Sequence, residues 1–363
     1  ILKKADLDSI GVKKVIGKGK VKLVEYNNKN FQLMVDDKPY IMRAIAYSPT
    51  PVGLSPDNGS TNVSKDWSWM DYNKNKIIDG PYESWVDENK NNKKDRKEKV
   101  VGDFQLMKDM GINTIRIYNF PEINKEVLKD GYEKYNFMYM IGNFLGMYGF
   151  HSGAEWFEGT DYTNPKHREN MLNSVREMVE EYKNEPYVLM WVLGNENNYG
   201  TVGVPGVSAG TSCNVRKDPA AYYKFINECA KLIKELDPQQ RPVAICNGDL
   251  LFMDICAQNA PDLDIYGANA YRGKEGFGTL WRDVLKVYGK PVIITEYGCP
   301  AYSKYITFEN NENEQAEYHR GSWLSMEENF AGYGSGNALG GVIFEWTDEW
   351  WKHNSVNPDS WKE

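Results

Sequence analysis

The chain has 363 residues, 41% hydrophobic and 26% charged, with a formal net charge of −8. That composition fits a globular protein with a large core, long enough for one (β/α)8 barrel with insertions, and its negative balance disfavours nucleic acid as a partner. No apolar run is long enough for a membrane-spanning helix, and five cysteines without a C-x-x-C pair indicate neither a disulfide framework nor a zinc knuckle.

Taken in order, residues 1–37 read as a small N-terminal β extension, with strand-like runs at 20–26 and 31–35 and a turn at 36–39. The run 40–47 is expected to be the first barrel strand, placing Tyr47 at the mouth. The barrel is assigned to 38–363 and interrupted by a polar insertion at about 50–99, a length that in compact domains usually has a function of its own. Within it, Asp71-x-Asn73-x-Asn75-x-x-x-Asp79 recurs as Asp87-x-Asn89-x-Asn91-x-x-x-Asp95. The second copy offers Asp87, Asn89, Asn91, the Lys93 carbonyl, Asp95 and Glu98 at the spacing of an EF-hand-like loop, although Asn92 stands where that loop needs glycine. One structural Ca2+ and a set of Asp/Asn turns are both compatible with this pattern.

A regular strand and helix rhythm follows. Helices are expected at 101–110, 124–136, 169–184, from Asp218-Pro219 onward, at 277–288 and at 314–330; strands are expected at 112–118, 137–141, 187–193, 241–247, 264–271, 292–295 and 341–346. Eight strands coupled in this way make an α/β protein with a closed (β/α)8 TIM barrel the expected fold. Two strands end in carboxylates: Tyr187-Val-Leu-Met-Trp-Val-Leu runs into Gly194-Asn195-Glu196, and Val292-Ile-Ile-Thr into Glu296-Tyr297-Gly298. The C-terminal strand ends of a barrel converge on one mouth, so these two glutamates can face one substrate. Paired carboxylates are what glycosidic cleavage needs, and aromatics at 13% suit a site that grips sugar faces. A carbohydrate is therefore the expected partner, with no catalytic cofactor; oligomeric state is not readable. The start at Ile1 leaves room for a removed leader, and a periplasmic or secreted location is favoured over a cytoplasmic one.

Thr114-Ile-Arg-Ile-Tyr118, Trp191-Val-Leu-Gly-Asn-Glu196, Asn269-Ala-Tyr271, Ile294-Thr-Glu-Tyr-Gly298 and Phe344-Glu-Trp346 together resemble clan A of the glycoside hydrolases, above all the catalytic barrel of family 2. Glu296-Tyr-Gly-Cys299 is also similar to the family 72 glucanosyltransferases. The resemblance spans roughly residues 38–350. It implies Glu196 as acid/base, Glu296 as nucleophile and retention of anomeric configuration. Arg116 and Tyr271 would keep the nucleophile ionised, Asn195 would bind the sugar 2-hydroxyl, and Trp346 would lie under the sugar. Tyr118, Asn143 and Asn269 join Tyr47 as candidate substrate contacts, and Glu345 as a further cleft-facing carboxylate. A retaining β-glycosidase, a transglycosylase on the same site and a non-catalytic carbohydrate-binding barrel remain the readings. Gly206-Val-Ser-Ala-Gly210 matches a G-x-S-x-G nucleophile elbow, but the Gly/Pro loop before it lacks the strand that an elbow requires.

Overall fold

Apolar β-branched runs closed by Gly, Asn or Pro form the strands, and the computed structural model arranges them as expected. It describes residues 5–48, 83–85, 89, 95–97, 100–121, 124–206, 210–301 and 307–347. Eight parallel strands close a barrel in the cyclic order β10, β11, β12, β13, β14, β5, β8, β9. They are β5 (Met42–Ala46), β8 (Thr114–Ile117), β9 (Met138–Asn143), β10 (Val188–Leu193), β11 (Val243–Gly248), β12 (Ile265–Asn269), β13 (Val292–Tyr297) and β14 (Ala338–Ile343). Preceding them, β1 (Val12–Ile16), β2 (Val21–Tyr26), β3 (Phe31–Val35) and β4 (Lys38–Pro39) form a separate antiparallel sheet, and β6 (Glu83–Trp85) pairs with β7 (Val100–Gly102). The long helices between strands include Lys125–Tyr135, Pro165–Tyr182, Pro219–Leu236 and Phe308–Glu327.

Strand alternation divides the core in two. Met42, Ala44, Met138, Met140, Val192, Ala244, Ile293 and Val342 point into the barrel, while Ile45, Ile115, Ile141, Trp191, Ile245 and Ile294 pack outward in the helix-facing cluster. Val21, Leu23, Phe31 and Leu33 of the N-terminal sheet belong to the interior cluster, so this sheet closes the end of the barrel where the strands begin. Its edge strand β1 was not expected, because Val12 and its neighbours up to Val15 are solvent-exposed and carry no hydrophobic alternation. The helix expected from 169 begins a turn earlier, at Pro165, because the Asn164 side chain caps it by accepting from the Lys166 and His167 amides.

Candidate active site

The mouth is built where alternation breaks down. Along β12 and β13 the pairing skips Thr295, matching Asn269 with Glu296, and it shifts again between Ile294 and Tyr297 against β14. Such irregularities re-aim a side chain. Here the shift accompanies a Glu296 side chain turned toward the axis, 6% exposed and held by three donors. The Arg116 guanidinium lies 3.0 Å from Oε1, the Tyr118 hydroxyl donates to the same oxygen at 2.8 Å, and the Tyr271 hydroxyl donates to Oε2 at 2.8 Å. Burial, together with the Glu296 charge, raises the pKa of the Tyr271 phenol, and that of Tyr118 likewise, so both remain proton donors across the physiological range.

On the facing side β10 ends at Gly194, whose φ of +74° turns the chain inward. A Cβ at Gly194 would lie 2.7 Å from both the Asn197 Oδ1 and the Tyr222 hydroxyl, so glycine is required on both counts. Glu196 follows in the left-handed region at φ +56°, half-buried, its N–H bonded to the Cys246 carbonyl at 3.0 Å. A non-glycine residue held there costs about 1 kcal/mol or more and persists only where its surroundings impose it. The Asn269 amide donates to the Glu196 Oε1 at 3.1 Å and to the Asn195 Oδ1 at 3.2 Å.

Arg116 joins the two halves. Its second terminal nitrogen donates to the Asn195 Oδ1 at 2.7 Å, while the first also donates to the Thr295 carbonyl at 2.6 Å. Burial works against its charge, yet the Glu296 carboxylate, by its charge and its hydrogen bond, opposes burial, and the Arg116 pKa is left raised. Cys246, on β11, was not singled out from sequence, where a thiol within a strand reads as core. Its Sγ lies within 3.1 to 3.3 Å of Asn269 Oδ1, Arg116, Asn195 Oδ1 and the Thr295 hydroxyl, and burial pushes its pKa up to about 11. It is a neutral packing element at the barrel axis.

The structure thus brings together Glu196, Glu296, Arg116, Tyr118, Asn195, Asn269 and Tyr271. Two expected contacts lie elsewhere. Asn143 is fully buried and follows the outward phase of β9, with its amide donating to Ser174 at 2.6 Å and its Oδ1 accepting from the Leu145 N–H at 2.8 Å. Tyr47 likewise follows the outward phase of β5, packs on Phe104, and donates to Asp103 at 2.5 Å. Trp346 is half-buried beyond β14, with its backbone N–H on the Ala46 carbonyl at 3.1 Å. Glu345 is half-buried and close enough to help raise the Tyr118 pKa. Of the candidate calcium ligands, Asp87, Asn91, Lys93 and Glu98 lie outside the described residues, and the Asn89 amide donates to Asp95 at 2.5 Å. Ser208 of the G-x-S-x-G match also lies outside them.

A barrel whose strand ends present two glutamates, one of them clamped by a guanidinium and two phenols, has the paired carboxylates that glycosidic cleavage requires. The glycosyl hydrolases family 2 TIM barrel domain matches residues 86–330, and the chain belongs to this family. It is 28% identical over 218 residues to a beta-glucuronidase of Streptococcus agalactiae, covering 54% of this chain and 32% of that protein. It is 26% identical over 273 residues to the 1,3-beta-glucanosyltransferase gel2 of Aspergillus fumigatus, covering 68% of this chain and 48% of that protein. The chain therefore spans half or less of the length of these two relatives. The fold is shared with the beta-D-glucuronidase of Dictyoglomus thermophilum (TM-score 0.54, 19% identity, 92% of this chain and 48% of that one). It is shared also with a beta-galacturonidase of Eisenbergiella tayi (TM-score 0.54, 16% identity, 94% and 49%). Among the described residues no helix is long and apolar enough to cross a membrane.

Proposed function

We propose that the chain is a retaining β-glycosidase acting on a β-linked saccharide by double displacement, with Glu296 as nucleophile and Glu196 as acid/base. The observation that carries this reading is the asymmetry of the two carboxylates. Glu296 is buried and accepts from one cation and two hydroxyls, which hold both carboxyl oxygens in a fixed orientation for attack. Glu196 is more open, and the neutral Asn269 amide donates to its Oε1, an exposure that suits a group that must exchange a proton. In the first step protonated Glu196 gives its proton to the glycosidic oxygen, that bond to the anomeric carbon breaks, and Glu296 closes an ester to the same carbon. In the second, Glu196 takes a proton from water as the water oxygen displaces Glu296. Asn195, with its Oδ1 occupied by Arg116 and Asn269 and one amide N–H on the Met147 sulfur, has its other N–H for the sugar 2-hydroxyl.

Similarity to a glucanosyltransferase supports a second reading, in which a sugar hydroxyl replaces water in the second step. The test is a panel of β-linked glucosides, galactosides and uronides with Glu296→Gln and Glu196→Gln. Glu296→Gln should lose at least about a thousandfold in kcat, in line with the loss of a nucleophile. Glu196→Gln should keep turnover of substrates whose leaving group needs no proton and regain rate with added azide. Glu296→Gln acting at the wild-type rate would sink the assignment. Products longer than the substrate would favour the transferase.

A further inference from the structure

We infer that the loop after β9 carries an aromatic subsite, made by the stacked pair Tyr148 and Trp156 with Phe150, that takes a pyranose ring on the leaving-group side of the scissile bond. This inference rests on the glycosidase reading above.

The loop rises from the same end of the barrel as both glutamates, and β9 is the direct neighbour of β10, which leads into Glu196, while β13, with Glu296, lies across the barrel. The side of the acid is the side of the oxygen it protonates, hence of the departing sugar. Met147 anchors the loop to this shell, its sulfur 3.7 Å from the Asn195 amide nitrogen, and Tyr148 is the next residue. A run of ring contacts leads outward from the Glu296 partner Tyr118 to Phe144 (6.2 Å between centroids) and on to Phe150 (5.3 Å).

The surface is rigid yet open. The loop backbone is tied down from beneath: the Asn197 amide donates to the Phe144 and Leu145 carbonyls at 3.1 Å, and the Thr160 hydroxyl donates to the Gly146 carbonyl at 2.6 Å. Tyr148 is held at φ +53°, an outlier for an aromatic residue and of the kind that collects at functional sites. Its ring lies nearly parallel to that of Trp156 (9°, centroids 5.3 Å apart), so the two make one slab. That slab faces solvent, with Tyr148 39% and Trp156 51% exposed, and Phe150 in the same loop is 47% exposed. A fixed aromatic plane edged by a phenol and an indole N–H matches the C–H face and equatorial hydroxyls of a pyranose, and holding it in place beforehand spares the ordering cost of binding.

The test is to titrate Glu296→Gln protein with short and long members of the saccharide series that the wild type cleaves, by calorimetry and by tryptophan fluorescence. Affinity should rise with chain length. Adding Tyr148→Ala and Trp156→Ala should weaken the long members on the order of tenfold more than the shortest, and Trp156→Phe should restore most of the loss. Matching melting curves show that the variants are folded. Equal effects on long and short members, or no saturable binding of any member, would overturn the subsite and leave the patch to a protein contact. Cleavage that survives Glu296→Gln would instead overturn the glycosidase reading, so the two failures are distinct.

Discussion

Each residue of the site is explained by the phase of the strand that carries it. Arg116, Cys246 and Asn269 point inward by simple alternation, as their partners within the barrel show. The two glutamates do not, and reach the axis where a glycine turn or a register shift intervenes. In sequence they were nonetheless legible, because a carboxylate that closes a wholly apolar run has few other reasons to be there. Asn143 and Tyr47 were misread for the converse reason: polar residues at strand ends, they keep the outward phase and are consumed by Ser174 and by Asp103. At the edge of the site His151, stacked on Phe120 and bonded to Asn119 Oδ1 at 2.8 Å, has its pKa lowered to about 4 by burial. The unfolded chain takes up this proton near the ordinary value of 6.5, and the folded chain refuses it until about 4. Stability is therefore full above the unfolded value and falls between about pH 6.5 and 4, by at most about 3 kcal/mol. Melting temperatures measured across that window should drop less steeply for His151→Gln than for the wild type. Parallel curves would contradict the assignment.

At the scale of elements, helices and strands were legible where one stripe or one run is apolar, as in Pro219–Leu236 with its buried Tyr222, Phe225, Cys229 and Ile233. Hidden from sequence was what pins that helix to the barrel. Asp237, at its C-terminal cap, accepts from the Trp191 indole at 3.0 Å, from the Arg241 guanidinium at 2.9 Å and from the backbone amides of Gln239 and Arg241. Arg241 in turn donates to the Lys183 and Glu185 carbonyls, at 3.0 Å each. With Arg241, this carboxylate thus ties its own helix Pro219–Leu236 to three other parts of the barrel wall: the end of the helix Pro165–Tyr182, strand β10 and the start of β11. Both side chains are essentially buried, at 0% and 1% exposure. Asp237→Ala leaves a guanidinium buried without its counter-charge and should cost about 3–5 kcal/mol. Urea denaturation followed by circular dichroism would show a midpoint lowered accordingly; a shift under about 1 kcal/mol would mean that the pair is replaceable by water.

For the whole molecule, the N-terminal sheet is a floor as well as an extension. It fills the strand-start end of the barrel with Val21, Leu23, Phe31 and Leu33, which leaves the opposite end for chemistry. Sequence indicated two of its strands, but not that their apolar face completes the barrel interior, since pairing between distant elements leaves no local pattern. The sequence order of eight strands carried the fold, and family membership follows from the match over residues 86–330. The aromatic loop after β9 passed unnoticed because exposed rings in a Gly-rich stretch have no periodicity to announce them.

Double displacement requires Glu296 to form a bond to the sugar. We would incubate the protein with 2-deoxy-2-fluoro glycosides matching whichever substrate it turns over, digest it, and map the adduct by mass spectrometry. A single stable glycosyl ester on Glu296, absent from Glu296→Gln, is expected. Turnover with inverted product configuration, or an adduct on another residue, would contradict it.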